Sequence, residues 1–161
     1  MELLPDDVYY SRLNTVNLAS GALIRNRAGE VLVVNPTYRD HWLIPGGCVD
    51  KDESPAETCM REIKEELGLD VAFSRLLSIE YLARRDYKPE AVHFIFDGGI
   101  IGEEQIAEIS LCEKELSEFR FLPVEQACEL LNSSLAVRFR AAFEQVNQSG
   151  PAYLERGSRL D

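Results

Sequence analysis

The chain has 161 residues, the length of one domain, and its 45% hydrophobic and 28% charged residues supply a core and exclude global disorder. Seventeen basic against twenty-eight acidic residues give a net charge of −11. Such a surface repels phosphate backbones and anionic lipid, so extended nucleic acid and membranes are poor partners, while a small anion held through a metal ion stays open.

The opening Met1–Asp7 is acidic and lacks a basic stretch before an apolar run, and no window approaches the ~18 apolar residues of a membrane span. A soluble cytoplasmic protein is expected. Cys48, Cys59, Cys112 and Cys128 form no C-x-x-C pair, and His41 and His93 are far apart. No zinc site is expected, and the thiols should be reduced and mostly buried.

In chain order, Val16–Ile24 reads as a strand, Arg25–Gly29 as a turn and Glu30–Asn35 as the hairpin partner. Pro36–His41 is a polar loop, and Trp42-Leu-Ile44 is a short apolar run ended by Pro45-Gly46-Gly47. A helix follows over Ser54–Gly68. Asp70–Leu82 is a long extended segment, Arg84–Pro89 a charged loop and Ala91–Phe96 a short strand. Gly98–Leu111, rich in Gly and Glu, should be partly irregular. Phe119–Leu122 is the last strand, and Pro123–Leu131 and Ser134–Val146 are helical, the latter with Leu135, Phe139, Ala142, Phe143 and Val146 on one face. Residues 147–161 read as a loosely packed polar tail on a single domain whose core spans about 14–146. Mixed strands and helices indicate a layered α/β fold.

The helix is specified at both ends. Ser54 and Glu57 form a capping box, Pro55 takes the first helical position, and Gly68 suits the left-handed stop. Ala56, Cys59, Met60, Ile63 and Leu67 fall within an arc of roughly 100° and form the core-facing stripe. Glu62, Glu65 and Glu66, at i, i+3 and i+4, share a second arc. Like charges at that spacing each cost a helix about 0.2–0.5 kcal/mol. They form either a solvated acidic face or a cluster for a hard divalent cation, Mg²⁺ or Mn²⁺. The glycines before the helix allow close backbone approach to a ligand. Arg61 can pair with Glu53 and fix the loop against the helix.

Residues Gly47 to Leu69 resemble the Nudix box, G-x5-E-x7-R-E-U-x-E-E-x-G-U, at every fixed position: Gly47, Glu53, then Arg61-Glu62-Ile63-Lys64-Glu65-Glu66-Leu67-Gly68-Leu69. Leu43–Gly47 also resembles that family's lead-in strand. The resemblance implies an α/β/α sandwich around a mixed sheet. It also implies Mg²⁺-dependent hydrolysis of a nucleoside diphosphate linked to another moiety, with Mn²⁺ as a substitute. Carried onto this chain, Glu62, Glu65 and Glu66 are implied metal ligands, Gly46 adds its carbonyl, and Glu53 and Arg61 are the supporting pair. Relatives often dimerise, so a homodimer is admitted.

In parts of the family the general base lies beyond the box. Here that stretch holds six glutamates between residues 103 and 118, and Glu115, just before the last strand, is the candidate base. Arg84, Arg85 and Tyr87 form a substrate-binding candidate loop. Trp42 and Tyr38 are stacking candidates, and His93 reads as structural. Arg84 stands where ADP-ribose hydrolases of the family carry proline, whereas Tyr87 lies eighteen residues past Leu69, near a tyrosine associated with dinucleoside polyphosphate hydrolases. Nucleotide sugars, dinucleoside polyphosphates and nucleoside triphosphates stay open. Two other readings are a Nudix-fold nucleotide sensor without turnover, which would come with a degraded box or a DNA-binding domain, and an isoprenoid diphosphate isomerase, which would need a cysteine–glutamate pair that Cys48 and Cys59 do not supply.

Overall fold

A computed structural model describes residues 4–73 and 75–160; residues 1–3, 74 and 161 fall outside it, including one position of the predicted segment Asp70–Leu82 and the end of the predicted tail. The elements are α1 (Asp6–Ser11), β1 (Asn17–Asn26), β2 (Val31–Pro36), β3 (Gly46–Cys48), α2 (Pro55–Leu67), β4 (Leu76–Leu82), β5 (Ala91–Ile101), α3 (Glu103–Ala107), β6 (Leu116–Leu122), α4 (Val124–Leu130), α5 (Ser133–Glu144), β7 (Ala152–Glu155) and β8 (Ser158–Leu160).

One mixed sheet runs β6-β2-β1-β5-β4-β7-β8, and β3 pairs with β1. β1 lies parallel to β5 and β4 parallel to β7; the other pairs are antiparallel. Neighbouring residues on a strand face opposite ways, so β1 and β2 feed two cores. Leu23, Val31 and Val33 pack with Ala127 from α4, Leu135 and Phe139 from α5, and Leu131 between the two helices. Ala22, Ile24, Leu32 and Val34 pack with Cys59, Ile63 and Leu67 from α2. Helices thus cover both faces, giving the α/β/α layering. Each fully buried Leu, Ile or Phe contributes about 1.5–3 kcal/mol.

Several expectations are corrected. The tail is not loose: β7 extends the sheet beside β4, and Ala152 and Leu154 pack on Ala141. Its apolar alternation is only two residues deep and follows Ser149-Gly150-Pro151, so the sequence signal is short. β5 continues to Ile101, and Glu103–Ala107 is helical within the stretch read as irregular. Asp6–Ser11 forms a short exposed helix that the sequence reading passed over. The strand near the glycines is Gly46–Cys48 itself, while Trp42 and Leu43 make only isolated bridges to Leu131 and Val34. Met60 is 43% exposed and leaves the core stripe. The buried face of α2 is rotated toward Cys59 and Glu66, which sit side by side on the wheel. Cys59 and Cys128 are buried, Cys112 is half-buried and Cys48 is exposed, all as free thiols.

Candidate functional site

The strand registers bring the start of β1, the end of β2, β3, and the starts of β5 and β6 to one end of the sheet. Helix α2 lies against that end. Its start is fixed by the reciprocal Ser54–Glu57 capping box with Pro55 behind it, and Gly68 takes the left-handed conformation at φ 72° that ends it.

Arg61 organises the cluster. Its Nε and Nη2 donate to the two oxygens of Glu53 at 2.9 and 3.0 Å, a bidentate pair spanning loop and helix. Thr58 Oγ1 adds a third donor to Glu53 at 2.6 Å. These bonds hold the Glu53 carboxyl down to about 2, with the Arg61 contact the largest cause. Arg61 Nη1 donates to Glu62 at 3.0 Å and Glu65 at 3.2 Å, and Asp50 lies 3.5 Å from Nη2.

The two glycines make the floor. Gly46 has φ 140° and packs so closely on β1 that an added Cβ would stand 2.2 Å from the Ser20 carbonyl oxygen. Its N–H donates to Glu66 Oε2 at 3.0 Å. At Gly47 the constraint is space: an added Cβ would meet Glu62 Oε1 at 2.3 Å. Gly46 therefore lets the loop lie directly on β1, and Gly47 lets the Glu62 carboxylate reach the backbone.

Glu66 is 4% exposed and has no cationic partner among the described residues. Burial pushes its carboxyl up to about 8, the Gly46 N–H works against that, and the charges of Glu62, Glu115 and Glu65 add to the rise. Burial likewise raises Glu62, with Glu65 and Glu115 contributing. Glu115 therefore stands within electrostatic reach of both. The turn that carries it is tied to the end of α2, where the Cys112 N–H donates to the Glu66 carbonyl at 3.0 Å and the Ser110 N–H to that of Leu67 at 2.9 Å.

Among the described residues no three acidic, His or Cys side chains already converge as a cation cage, because Arg61 occupies Glu62 and Glu65 and Glu66 turns to Gly46. The donor set nevertheless suits a hard divalent ion: all oxygen, with a buried carboxylate lacking a countercharge.

The other candidates sit apart. Arg84, Arg85 and Tyr87 occupy the β4–β5 hairpin tip, at the same end of the sheet, with side chains in solvent; Tyr87 is 88% exposed. Trp42 packs on the opposite core, and Arg120 covers its ring at 4.8 Å from the centroid. His93 faces Glu80 across β4 and β5. Sequence reasoning missed Asp50 and Thr58; their i−11 and i−3 spacings from Arg61 are the only signal. A cavity of about 400 Å³ adjoins Glu53, lined by Val16, Leu18, Cys48 and Val49 among others.

Fold and site together define a protein of the Nudix type, a sheet between helices with a carboxylate-bearing loop–helix at one end. The family model described as NUDIX domain matches residues 16–143. The chain belongs to the Nudix hydrolase family. It is 35% identical over 68 residues to the Bacillus subtilis protein YjhB, covering 42% of this chain and 33% of that one. It is 28% identical over 106 residues to diphosphoinositol polyphosphate phosphohydrolase 3-alpha of Mus musculus, 65% of this chain and 62% of that one. The crystal structure of the MutT protein from Methanosarcina mazei Go1 aligns with a TM-score of 0.68 at 26% identity, covering 85% of this chain and 99% of that one. The chain spans a third to under two thirds of the length of these two curated relatives. No helix of the described residues is long and apolar enough to cross a membrane.

Proposed function

We propose that this chain hydrolyses the pyrophosphate bond of a nucleoside diphosphate linked to another moiety, as a cytoplasmic, Mg²⁺-dependent enzyme for which Mn²⁺ can substitute and homodimerisation is open. The observation that carries the reading is Glu66, a buried carboxylate without a countercharge beside Glu62 and Glu65, on a helix clamped by Glu53 and Arg61. The name of the mouse relative points the same way, toward cleavage within a diphosphate.

In this reading Glu62, Glu65 and Glu66 would hold the cation, with the Gly46 carbonyl as a further ligand. The bound ion supplies charge neutralisation of the diphosphate and a lowered pKa for water. Arg61 and Glu53 hold α2 against the loop, and Arg61 keeps Glu62 and Glu65, which would hold the ion, together. Glu115, beside Glu62 and Glu66, accepts the proton of the attacking water. Arg84, Arg85 and Tyr87 contact the substrate from the hairpin tip.

The test is phosphatase-coupled phosphate release across nucleotide sugars, dinucleoside polyphosphates and nucleoside triphosphates. Release that Mg²⁺ supports and EDTA abolishes is expected. Release indifferent to EDTA would sink the metal role, and binding of nucleotide without release would favour a sensor.

A further inference from the structure

The loop after β2 carries two side chains that the site above does not use. The β2–β6 ladder, last paired at Pro36 and Leu116, is prolonged by the Thr37 N–H donating to the Glu115 carbonyl at 2.8 Å. Thr37 Oγ1 donates to the Lys114 carbonyl at 3.0 Å. The next residues, Tyr38 and Arg39, are thus stapled to the turn whose Glu115 acts on Glu62 and Glu66. The Tyr38 side chain is 61% exposed, and the Arg39 guanidinium lies 5.7 Å from its ring centroid. Arg61, Arg75, Arg138 and Arg140 each have a carboxylate within reach, whereas Arg39 and Lys114 have none among the described residues.

On a chain of net charge −11 a polyanionic substrate meets general repulsion. Unpaired cations at one rim of the carboxylate cluster give it a local approach. An exposed phenol ring offers a face that a planar ring can cover, and base–aromatic stacking tolerates any base. A polyol such as an inositol has no such face.

We propose that Tyr38 and Arg39 form the subsite for the base end of a nucleoside diphosphate: Tyr38 stacks on the base, and Arg39, with Lys114, draws the charged linkage toward α2. The inference rests on the hydrolase reading and deepens it by naming the residues that meet the base and its charged linkage.

The test is calorimetric binding to the full chain with Mg²⁺ present, using non-hydrolysable α,β-methylene ADP and base-free methylenediphosphonate. Wild type should bind the nucleotide at least ~10-fold more tightly, with the difference set by stacking. Tyr38→Ala should lose that preference, Tyr38→Phe should keep it, and Arg39→Gln should weaken both probes roughly 5-fold with a flatter salt dependence, as a phosphate contact would. Unchanged melting temperatures would show that these exposed positions leave the fold intact. A Tyr38→Ala protein that keeps the full preference overturns the proposal, as does a wild type that binds both probes equally. A wild type that binds neither, and releases no phosphate, removes the hydrolase reading itself.

Discussion

Among the described residues two glutamates are buried, and they are treated in opposite ways. Glu80 on β4 is fully buried; one oxygen accepts from Arg138 Nη1 on α5, and the other from the Gly157 N–H at 2.9 Å. Ser134 Oγ, also on α5, accepts from the same Arg138 nitrogen at 3.3 Å. Glu66 on α2 is nearly as buried, yet it receives one N–H, no cation, and three acidic neighbours. Glu80 ties the sheet to α5 and to the turn between β7 and β8, and its charge is matched. In the proposed reading the charge of Glu66 is left for a bound cation. A buried carboxylate without a partner costs free energy or takes up a proton, in keeping with burial pushing Glu66 up to about 8.

The strongest way to break this contrast is to remove the partner from the matched side. Arg138→Met leaves Glu80 buried and uncompensated and should cost about 3–5 kcal/mol of stability. For a chain of this size that is a fall of roughly 10 °C in melting temperature. Adding Glu80→Gln should restore part of it. A single variant that melts like wild type would mean the pair contributes nothing.

His93 reports on the same side through pH. Burial, helped by the charge of Arg138, pulls its pKa down to about 4 from an ordinary 6.5. Between those values the unfolded chain binds the extra proton and the folded chain does not. Stability therefore falls as pH drops from 6.5 toward 4, by about 3 kcal/mol in full. Denaturation of His93→Gln alongside wild type isolates this contribution, because the carboxylates are common to both. Parallel profiles would show that His93 titrates alike in both states.

On the unmatched side, Glu66→Gln keeps an acceptor for the Gly46 N–H and removes the charge. Turnover should fall about 100-fold, equivalent to about 2.7 kcal/mol. The metal-free protein should melt no lower than wild type, and Mg²⁺ should raise the melting point of wild type only. A variant that loses stability without Mg²⁺ would make Glu66 a structural residue like Glu80.

The two glutamates also differ in how far they can be read from sequence. Glu53, Arg61, Glu62, Glu65 and Glu66 lie within fourteen residues of one loop and helix, so local spacing orders them. The sequence reading set Glu66 on an acidic arc apart from the core, because a helical wheel does not show that Gly46 comes down on it. The Glu80–Arg138 pair spans 58 residues and depends on β4 and α5 meeting across the sheet, which no periodicity reveals. The tail failed for a similar reason: β7 is made by pairing with β4, not by its own four residues. Trp42 beside an apolar run reads as core more than as a platform, and Arg120 lies over its ring. What was legible is what neighbours in the chain decide.

The smallest expected effect asks what holds α2 in register with the loop. Two devices compete. The capping box closes the helix start, with the Glu57 N–H donating to Ser54 Oγ at 3.2 Å and the Ser54 N–H to Glu57 Oε2 at 2.8 Å. The Arg61–Glu53 clamp crosses from helix to loop with two charge-assisted bonds and the help of Thr58. A cap satisfies helix ends and is worth about 1 kcal/mol, but it does not reach the carboxylates. The clamp shares its guanidinium with Glu62 and Glu65, so displacing it displaces them. Ser54→Ala should therefore lower stability by about 1 kcal/mol and leave kcat within twofold of wild type, as read by chemical denaturation and steady-state kinetics. A large fall in kcat would make the cap, and not the clamp, the device that sets the carboxylates in place.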